Sequence, residues 1–155
     1  MRARFFVAVG LAVSGLALAQ TKTIEGLPIR PGDSIEKVKT ALRTTLEPEE
    51  SKSALQRNTK QLRLKTKGIW AFFDPDGRVY NIRLDAPFRG NVGGVKIGDS
   101  RATLVEKLGK PAKLLKGATP RLKQEDPYVY YIDDRTTVRF DFNRSAEIET
   151  VFILK

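Results

Sequence analysis

One phrase, Gly-Asp-Ser ahead of an amphipathic segment, occurs twice in this chain and limits its fold more than any other feature. It lies at residues 32–34 and again at residues 98–100, which is 66 positions later. The apolar positions that match around the two phrases are Ile29 with Val95, Val38 with Leu104, and Leu42 with Leu108. Self-similarity at a fixed spacing predicts a duplicated structural unit.

The later part of each unit also repeats, at a slightly larger spacing. Residues 69–84 match residues 138–153 at an offset of 69, so one connection in the second unit should be three residues longer. The matching apolar positions are Ile69, Ala71, Phe73, Val79, Ile82 and Leu84 with Val138, Phe140, Phe142, Ile148, Val151 and Ile153. We therefore predict a first repeat over residues 20–90 and a second over residues 91–155.

The first repeat opens with a predicted helix. Asp33 or Ser34 is the expected N-cap of a helix over about residues 34–46. Glu36 stands three residues after Asp33, where a capping-box partner is expected. The apolar stripe at helical spacing consists of Ile35, Val38 and Leu42.

The second repeat has a shorter helix in the same place. Asp99 or Ser100 is its expected N-cap, and Gly109 followed by Pro111 should end it, since that order is typical of helix C-termini. The predicted apolar stripe consists of Leu104, Val105 and Leu108.

Strand signals follow each helix. Residues 69–73 and 78–85 flank Asp74-Pro75-Asp76-Gly77, a strong turn sequence. The other predicted strands are 136–142 and 147–154, joined by Asn143 to Ala146, and one strand ahead of each hairpin at Gln61–Thr66 and Tyr128–Asp133. Residues 47–60 and 112–127 fit either a short helix or a loop. The prediction is an α+β fold, in which two tandem helix-plus-hairpin repeats form one continuous antiparallel sheet with the helices packed on one face.

The second repeat carries a family resemblance. Leu108-Gly109-Lys110-Pro111, followed by a hairpin with Phe140 and Phe142, resembles the SmpA/OmlA (BamE-type) envelope module. Two such modules in tandem are similar to the β-lactamase-inhibitor-protein (BLIP-like) architecture, which implies a concave sheet laid against helices. The chain departs from both patterns: the first repeat reads Arg43-Thr44-Thr45 in place of Leu-Gly-x-Pro, and there is no cysteine for a lipid anchor or a disulfide.

The first 19 residues indicate export. Arg2 and Arg4 precede an apolar run over residues 5–18, and Ala17-Leu18-Ala19 fits a signal peptidase site. We expect cleavage before Gln20. Because position 20 is not cysteine, the expected product is periplasmic or secreted and has no lipid anchor.

The residue types that are missing restrict the chemistry. The chain has no histidine and no cysteine, which excludes a Ser-His-Asp triad, a Cys-His pair and the usual zinc ligand sets. We expect no enzyme activity, no cofactor and no metal. A carboxylate hydrolase that uses Glu125, Asp126, Asp133 and Asp134 is the remaining catalytic alternative.

Aromatic residues suggest a binding surface. Alternation along 69–73 puts Trp70 and Phe72 on the sheet face opposite Ile69. Arg139 and Asp141 stand at the matching positions of the second repeat, with Phe152 on the neighbouring strand. A sheet face with Trp, Phe and Arg is typical of a protein-binding hot spot. The alternative is that a loop covers these aromatic rings and makes a second small core.

The positive charge suggests a second kind of surface. Without the two signal arginines the net charge is +8. Two runs without an acidic residue precede the hairpins: Arg57, Lys60, Arg63, Lys65 and Lys67 in the first repeat, and Lys110, Lys113, Lys116, Arg121 and Lys123 in the second. They are either one positive rim that binds an anionic envelope polymer or lipid, or ordinary solvated lysine and arginine. Nucleic acid is not an expected partner of an exported chain. The leading hypothesis is a non-catalytic module that presents its sheet to a protein partner, as an inhibitor or an envelope-assembly accessory.

Overall fold

The structure, a computed structural model, describes residues 22–51, 59–116 and 126–155. The predicted signal peptide at residues 1–19 lies outside the described residues. The helices are α1 (Ile35–Leu42), a 3₁₀ turn (Lys65–Lys67) and α2 (Arg101–Leu108). Neither α-helix, at eight residues each, is long enough to cross a bilayer, and no other described helix is long and apolar enough to do so.

Ten strands occur in the described part of the chain, and eight of them form one antiparallel sheet. They are β1 (Ile24–Glu25), β2 (Glu49–Glu50), β3 (Lys60–Leu64), β4 (Ile69–Phe73), β5 (Val79–Asp85), β6 (Asn91–Val92), β7 (Lys113–Leu114), β8 (Tyr128–Asp133), β9 (Thr136–Phe142) and β10 (Ile148–Leu154). The sheet order is β2-β3-β4-β5-β10-β9-β8-β7, and β1 pairs with β6 in a separate ribbon. The fold is therefore α+β, as predicted, with two α-helices and a large antiparallel sheet.

The predicted hairpins are confirmed within a residue or two. Predicted strand 61–66 is observed one residue earlier and ends at Leu64, because the next three residues form the 3₁₀ turn that Gly68 closes at φ 64°. Strands β2 and β7, two residues each, lie in residues 47–60 and 112–127, where the prediction allows either a short helix or a loop.

The two turns have the same hydrogen-bond pattern. The amide of Asp74 donates to the carbonyl of Arg78 at 2.8 Å, and the amide of Asn143 donates to the carbonyl of Glu147 at 2.9 Å. In each turn, the residue before that carbonyl has a positive φ: Gly77 at 73° and Ala146 at 57°.

The core lies on one face of the eight-stranded sheet, which we call the core face. Alternate residues of β4 are buried there, and so are those of β9, from Val138 to Phe142. Val38 and Leu42 of α1 and the corresponding Leu104 and Leu108 of α2 belong to the same buried cluster. The prediction that Val105 shares the stripe of α2 is wrong: its side chain is 37% exposed, because only Leu104 and Leu108 point to the sheet.

Helix α1 starts as predicted but ends earlier. Ser34 is the N-cap and accepts from the amide of Lys37 at 3.3 Å. The predicted capping box with Glu36 is therefore wrong, because the third residue after the true cap is Lys37. The helix ends at Leu42 rather than near residue 46, since Arg43 adopts a left-handed conformation at φ 50°.

The two Gly-Asp-Ser phrases join each helix start to the sheet. In the first, the amide of Gly32 donates to Val79 at 2.6 Å, and the amide of Val79 donates back to Asp33 at 2.9 Å. The same pair of bonds links Gly98 and Asp99 to Ile148 at 2.8 and 2.9 Å. The phrase is thus a helix start that is also held to the second strand of the hairpin.

Candidate functional site: the outer face of the sheet

The face of the sheet opposite the core, which we call the outer face, carries the predicted aromatic residues. Along β4 the odd-numbered residues are buried in the core, and Trp70 and Phe72 point the other way and are half-buried. Arg139, Asp141 and Phe152 have the same orientation and a similar degree of burial. The structure therefore brings these five predicted residues to one face.

Strand pairing aligns basic and aromatic residues in one line across this face. Arg63 of β3 pairs with Trp70, and Trp70 pairs with Arg83 of β5. Arg83 pairs in turn with Phe152, and Phe152 with Arg139. We call these five residues, on five adjacent strands, the Arg–aromatic row.

Each aromatic ring in the row has a guanidinium group on both sides. The guanidinium carbons of Arg63 and Arg83 lie 4.7 Å from the centre of the Trp70 ring. For Phe152 the distances are 6.0 Å to Arg83 and 5.0 Å to Arg139. Each such cation–π contact stabilises by about 0.5–2 kcal/mol, depending on how far it is desolvated. The contacts hold the rings in place between the arginines on the outer face.

Two of the arginines are held by carboxylates that lie two residues further along the same strand. Arg83 Nε donates to Asp85 Oδ1 at 3.0 Å. Arg139 Nε donates to Asp141 Oδ1 at 2.6 Å, and Arg139 Nη2 donates to Asp141 Oδ2. Between the two carboxylates, the hydroxyl of Thr150 donates to Asp85 Oδ1 at 3.0 Å. These half-buried ion pairs fix the guanidinium planes against the rings.

The neighbouring line of residues across this face combines one aromatic ring with two amide side chains. Phe72 pairs with Gln61 on one side and with Asn81 on the other. The Phe72 ring lies 6.4 Å from the ring of Tyr80, which is itself partly buried, and this burial raises the pKa of the Tyr80 hydroxyl. Within the described ranges, Asn81 Oδ1 is buried and accepts no hydrogen bond.

The two basic runs do not come together. Lys60, Arg63, Lys65 and Lys67 lie in or just after β3, whereas Lys113 lies in β7 with Lys110 and Lys116 beside it. Strands β4, β5, β10, β9 and β8 stand between the two groups, a separation of about 30 Å at normal strand spacing. Arg57, Arg121 and Lys123 lie outside the described residues. The described members therefore form two groups near opposite edges of the sheet and not the one positive rim that we expected.

Individual members of these runs also face different ways. Arg63 belongs to the outer face, whereas Lys60 pairs with Phe73 of the core face. Lys67 Nζ donates to the carbonyl of Leu42 at 2.6 Å, at the end of α1. All seven described members have exposed side chains, so each remains available to an anionic partner at its own edge.

Two of the predicted acidic residues, Asp133 and Asp134, lie at the turn between β8 and β9. Asp133 accepts from the amide of Arg135 at 2.8 Å, and this bond holds the pKa of its carboxyl below the usual value. Asp134 is exposed in the same turn, and Glu125 lies outside the described residues. Across the three described ranges, no group of three potential metal-ligating side chains is found.

Sequence reasoning missed two residues of this site and misplaced a third. Arg83 and Asp85 are not among the predicted site residues, although alternation along residues 82–85 puts both on the face opposite buried Ile82, which is the face of Trp70. Arg63 is predicted as part of a basic run rather than as a neighbour of Trp70. The signal for Arg83 and Asp85 is the register of the hairpin that the Asp74–Gly77 turn sets for β4 and β5. Arg63 depends instead on the register between β3 and β4 across the 3₁₀ turn.

Comparisons with known proteins bear on the fold alone. No protein-family model matches the chain, and no curated protein matches it. A solved structure, that of a DUF4309 family protein (YjgB) from Bacillus subtilis subsp. subtilis str. 168, is similar with a TM-score of 0.53. The two share 15% sequence identity over 84% of this chain and 82% of the other. The resemblance to SmpA/OmlA and BLIP-like repeats stays a prediction.

Proposed function

We propose that this chain is an exported, non-catalytic binding protein that presents the outer face of its sheet to a protein partner. The Arg–aromatic row is the observation that carries the proposal. Trp and Arg are enriched in protein-binding hot spots. Here ion pairs and ring contacts hold them in place, so little side-chain entropy remains to be lost on binding. An inhibitor or an envelope-assembly accessory would act through such a face.

We propose further that two tandem repeats of the BamE/BLIP-like type build this face. The matching hydrogen bonds at both Gly-Asp-Ser phrases support a duplication. So do the strand irregularities of the hairpins, which fall beside Tyr80 in one and beside Glu149, 69 positions later, in the other. The central pair also supports it, because Arg83 lies opposite Phe152, which is the same position of the other repeat.

Replacing Trp70 by Ala tests this function. If Trp70 is central to the interface, Trp70→Ala weakens binding to a protein partner by roughly 2 kcal/mol or more. Wild-type and Trp70→Ala proteins would be used as bait in envelope extract, and the affinity of each recovered protein would then be measured with purified material. Leu46→Ala is the control, because Leu46 is exposed at 52% and lies outside the outer face. Equal affinity of every recovered protein for wild type and Trp70→Ala would rule out binding through the aromatic residues.

The alternative function is binding of an anionic envelope polymer or lipid through the basic runs. The exposure of all seven described members favours it. Such binding would weaken steeply with added salt and would survive Trp70→Ala. Substituting Lys65 and Lys113, at opposite edges of the sheet, would abolish it. Protein binding through the Arg–aromatic row would show the reverse pattern.

A further inference from the structure

The two halves of the Arg–aromatic row use their guanidinium donors unequally. Arg139 has both Nε and Nη2 bound to Asp141. Arg83 uses only Nε for Asp85, and its terminal nitrogens donate to no acceptor in the described part of the chain. Arg63, which is exposed, has no carboxylate partner among the described residues. Donors that are free to bind a partner therefore cluster on the two sides of Trp70.

These donors can bind two separate acceptor groups, one on each side of Trp70. We call this arrangement the two-point site. Arg63 and Arg83 lie on strands either side of β4, so their positions are about 10 Å apart at normal strand spacing. Each guanidinium carbon lies 4.7 Å from the centre of the indole ring, and this cation–π contact restricts the position of the group. A guanidinium group that is held in place binds a carboxylate through charge-assisted hydrogen bonds with defined geometry.

The charges around this site favour a protein over a polymer. Asp85 and Asp141 lie beside Arg83 and Arg139, and Glu49 pairs with Gln61 beside the first half of the row. A polyanion with uniform charge would be repelled at each of these carboxylates. A protein surface with a few discrete carboxylates can avoid these positions and can also place an apolar side chain against Trp70. The net charge of +8 without the two signal arginines would speed the approach of an acidic partner.

Building on the proposed protein-binding function, we propose that the partner is an acidic protein segment that bridges Trp70. It places one carboxylate on the terminal nitrogens of Arg83 and a second on the guanidinium of Arg63, with an apolar residue between them. The other half of the row, where Asp141 already neutralises Arg139, contributes apolar contact.

Selection of random displayed peptides on the purified wild-type protein tests this proposal. We expect the selected peptides to share a pair of Asp or Glu residues around an apolar one. Arg63→Gln and Arg83→Gln should each weaken their binding by roughly tenfold or more. Lys65→Gln and Lys113→Gln remove the same charge elsewhere and should change it little. Arg83→Lys should resemble Arg83→Gln, since an ammonium group lacks the planar fork.

The outcomes separate this proposal from the function it rests on. If the selected peptides lack acidic residues and their binding is lost in Trp70→Ala, the proposal of an acidic partner is wrong. The proposal that the outer face binds proteins would then still hold. Peptides whose binding is indifferent to Trp70→Ala would overturn both. Equal loss in Lys65→Gln and Arg83→Gln would overturn the two-point site. Binding to phosphatidylglycerol vesicles that depends on Arg63 and Arg83, without any selected peptide, would overturn the choice of a protein. Circular dichroism of each variant confirms that the fold is retained.

Discussion

At the scale of single residues, the ring of Tyr130 shows how the core meets the end of a helix. Tyr130 has no exposed surface, and its ring packs edge-on against Phe140 at 5.7 Å. Its hydroxyl donates to the carbonyl of Gly109 at 2.9 Å, just after α2. Burial raises the pKa of this hydroxyl from its usual value of 10.0 to about 12.

This raised pKa predicts a specific loss of stability in alkali. The folded state holds the Tyr130 proton more tightly than the unfolded state does. The neutral hydroxyl therefore makes its full contribution to the free energy of unfolding below pH 10, and this contribution is lost as the pH rises towards 12. The loss amounts to about 2–3 kcal/mol. Urea unfolding of wild type and Tyr130→Phe at several pH values measures it. The wild-type free energy of unfolding should fall more steeply above pH 10 than that of Tyr130→Phe. Parallel curves would contradict the prediction.

At the scale of elements, the two hairpin turns have one backbone geometry and different residues. Gly77 and Ala146 occupy the same position at φ 73° and 57°. Left-handed backbone costs an alanine roughly 1–2 kcal/mol, whereas glycine adopts it without a steric penalty. The second turn is therefore strained where the first is not.

The strain predicts opposite effects of two substitutions. Ala146→Gly should stabilise the protein by about 0.5 kcal/mol, since relief of strain exceeds the entropic cost of glycine. Gly77→Ala should destabilise it by about 1 kcal/mol, and its new methyl group would lie 3.4 Å from Ile35 Cδ1. Denaturant midpoints of the two variants measure both effects. The same sign for both would show that turn strain does not govern these sites.

At the scale of the whole molecule, the pairing of β5 with β10 makes one core out of the two predicted repeats. Ile82 and Ile153 are paired across this junction, and neither has exposed surface. Buried residues from both helices and both hairpins form a single cluster. We therefore expect neither predicted repeat to unfold without the other.

A substitution in the second predicted repeat tests this coupling. Phe142→Ala removes a fully buried ring and should cost about 3–5 kcal/mol. The only tryptophan, Trp70, lies in the first predicted repeat, so its fluorescence reports on that part. In Phe142→Ala, the unfolding midpoint followed by Trp70 fluorescence should shift as far as the midpoint followed by far-ultraviolet circular dichroism. An unshifted Trp70 transition, with circular dichroism unfolding in two steps, would mean that the repeats are independent.

Local patterns in the sequence determined much of this structure. The hairpins, their turns and the helix starts at Asp-Ser were predictable because alternation, turn residues and capping groups act over a few neighbouring residues. They also sufficed to put Trp70, Phe72, Arg139, Asp141 and Phe152 on one face. The early end of α1 was not predictable, since Arg43 is not a residue type that usually takes a left-handed conformation.

The tertiary structure alone decided which strands meet at the centre of the sheet. Arg83 and Phe152 are 69 positions apart, and their contact depends on pairing between two hairpins rather than within one. This pairing completes the Arg–aromatic row and sends the two basic runs to opposite edges. Local signals set the faces of each hairpin, but joining the hairpins buries Ile82 and Ile153 together, and only this non-local burial selects the junction.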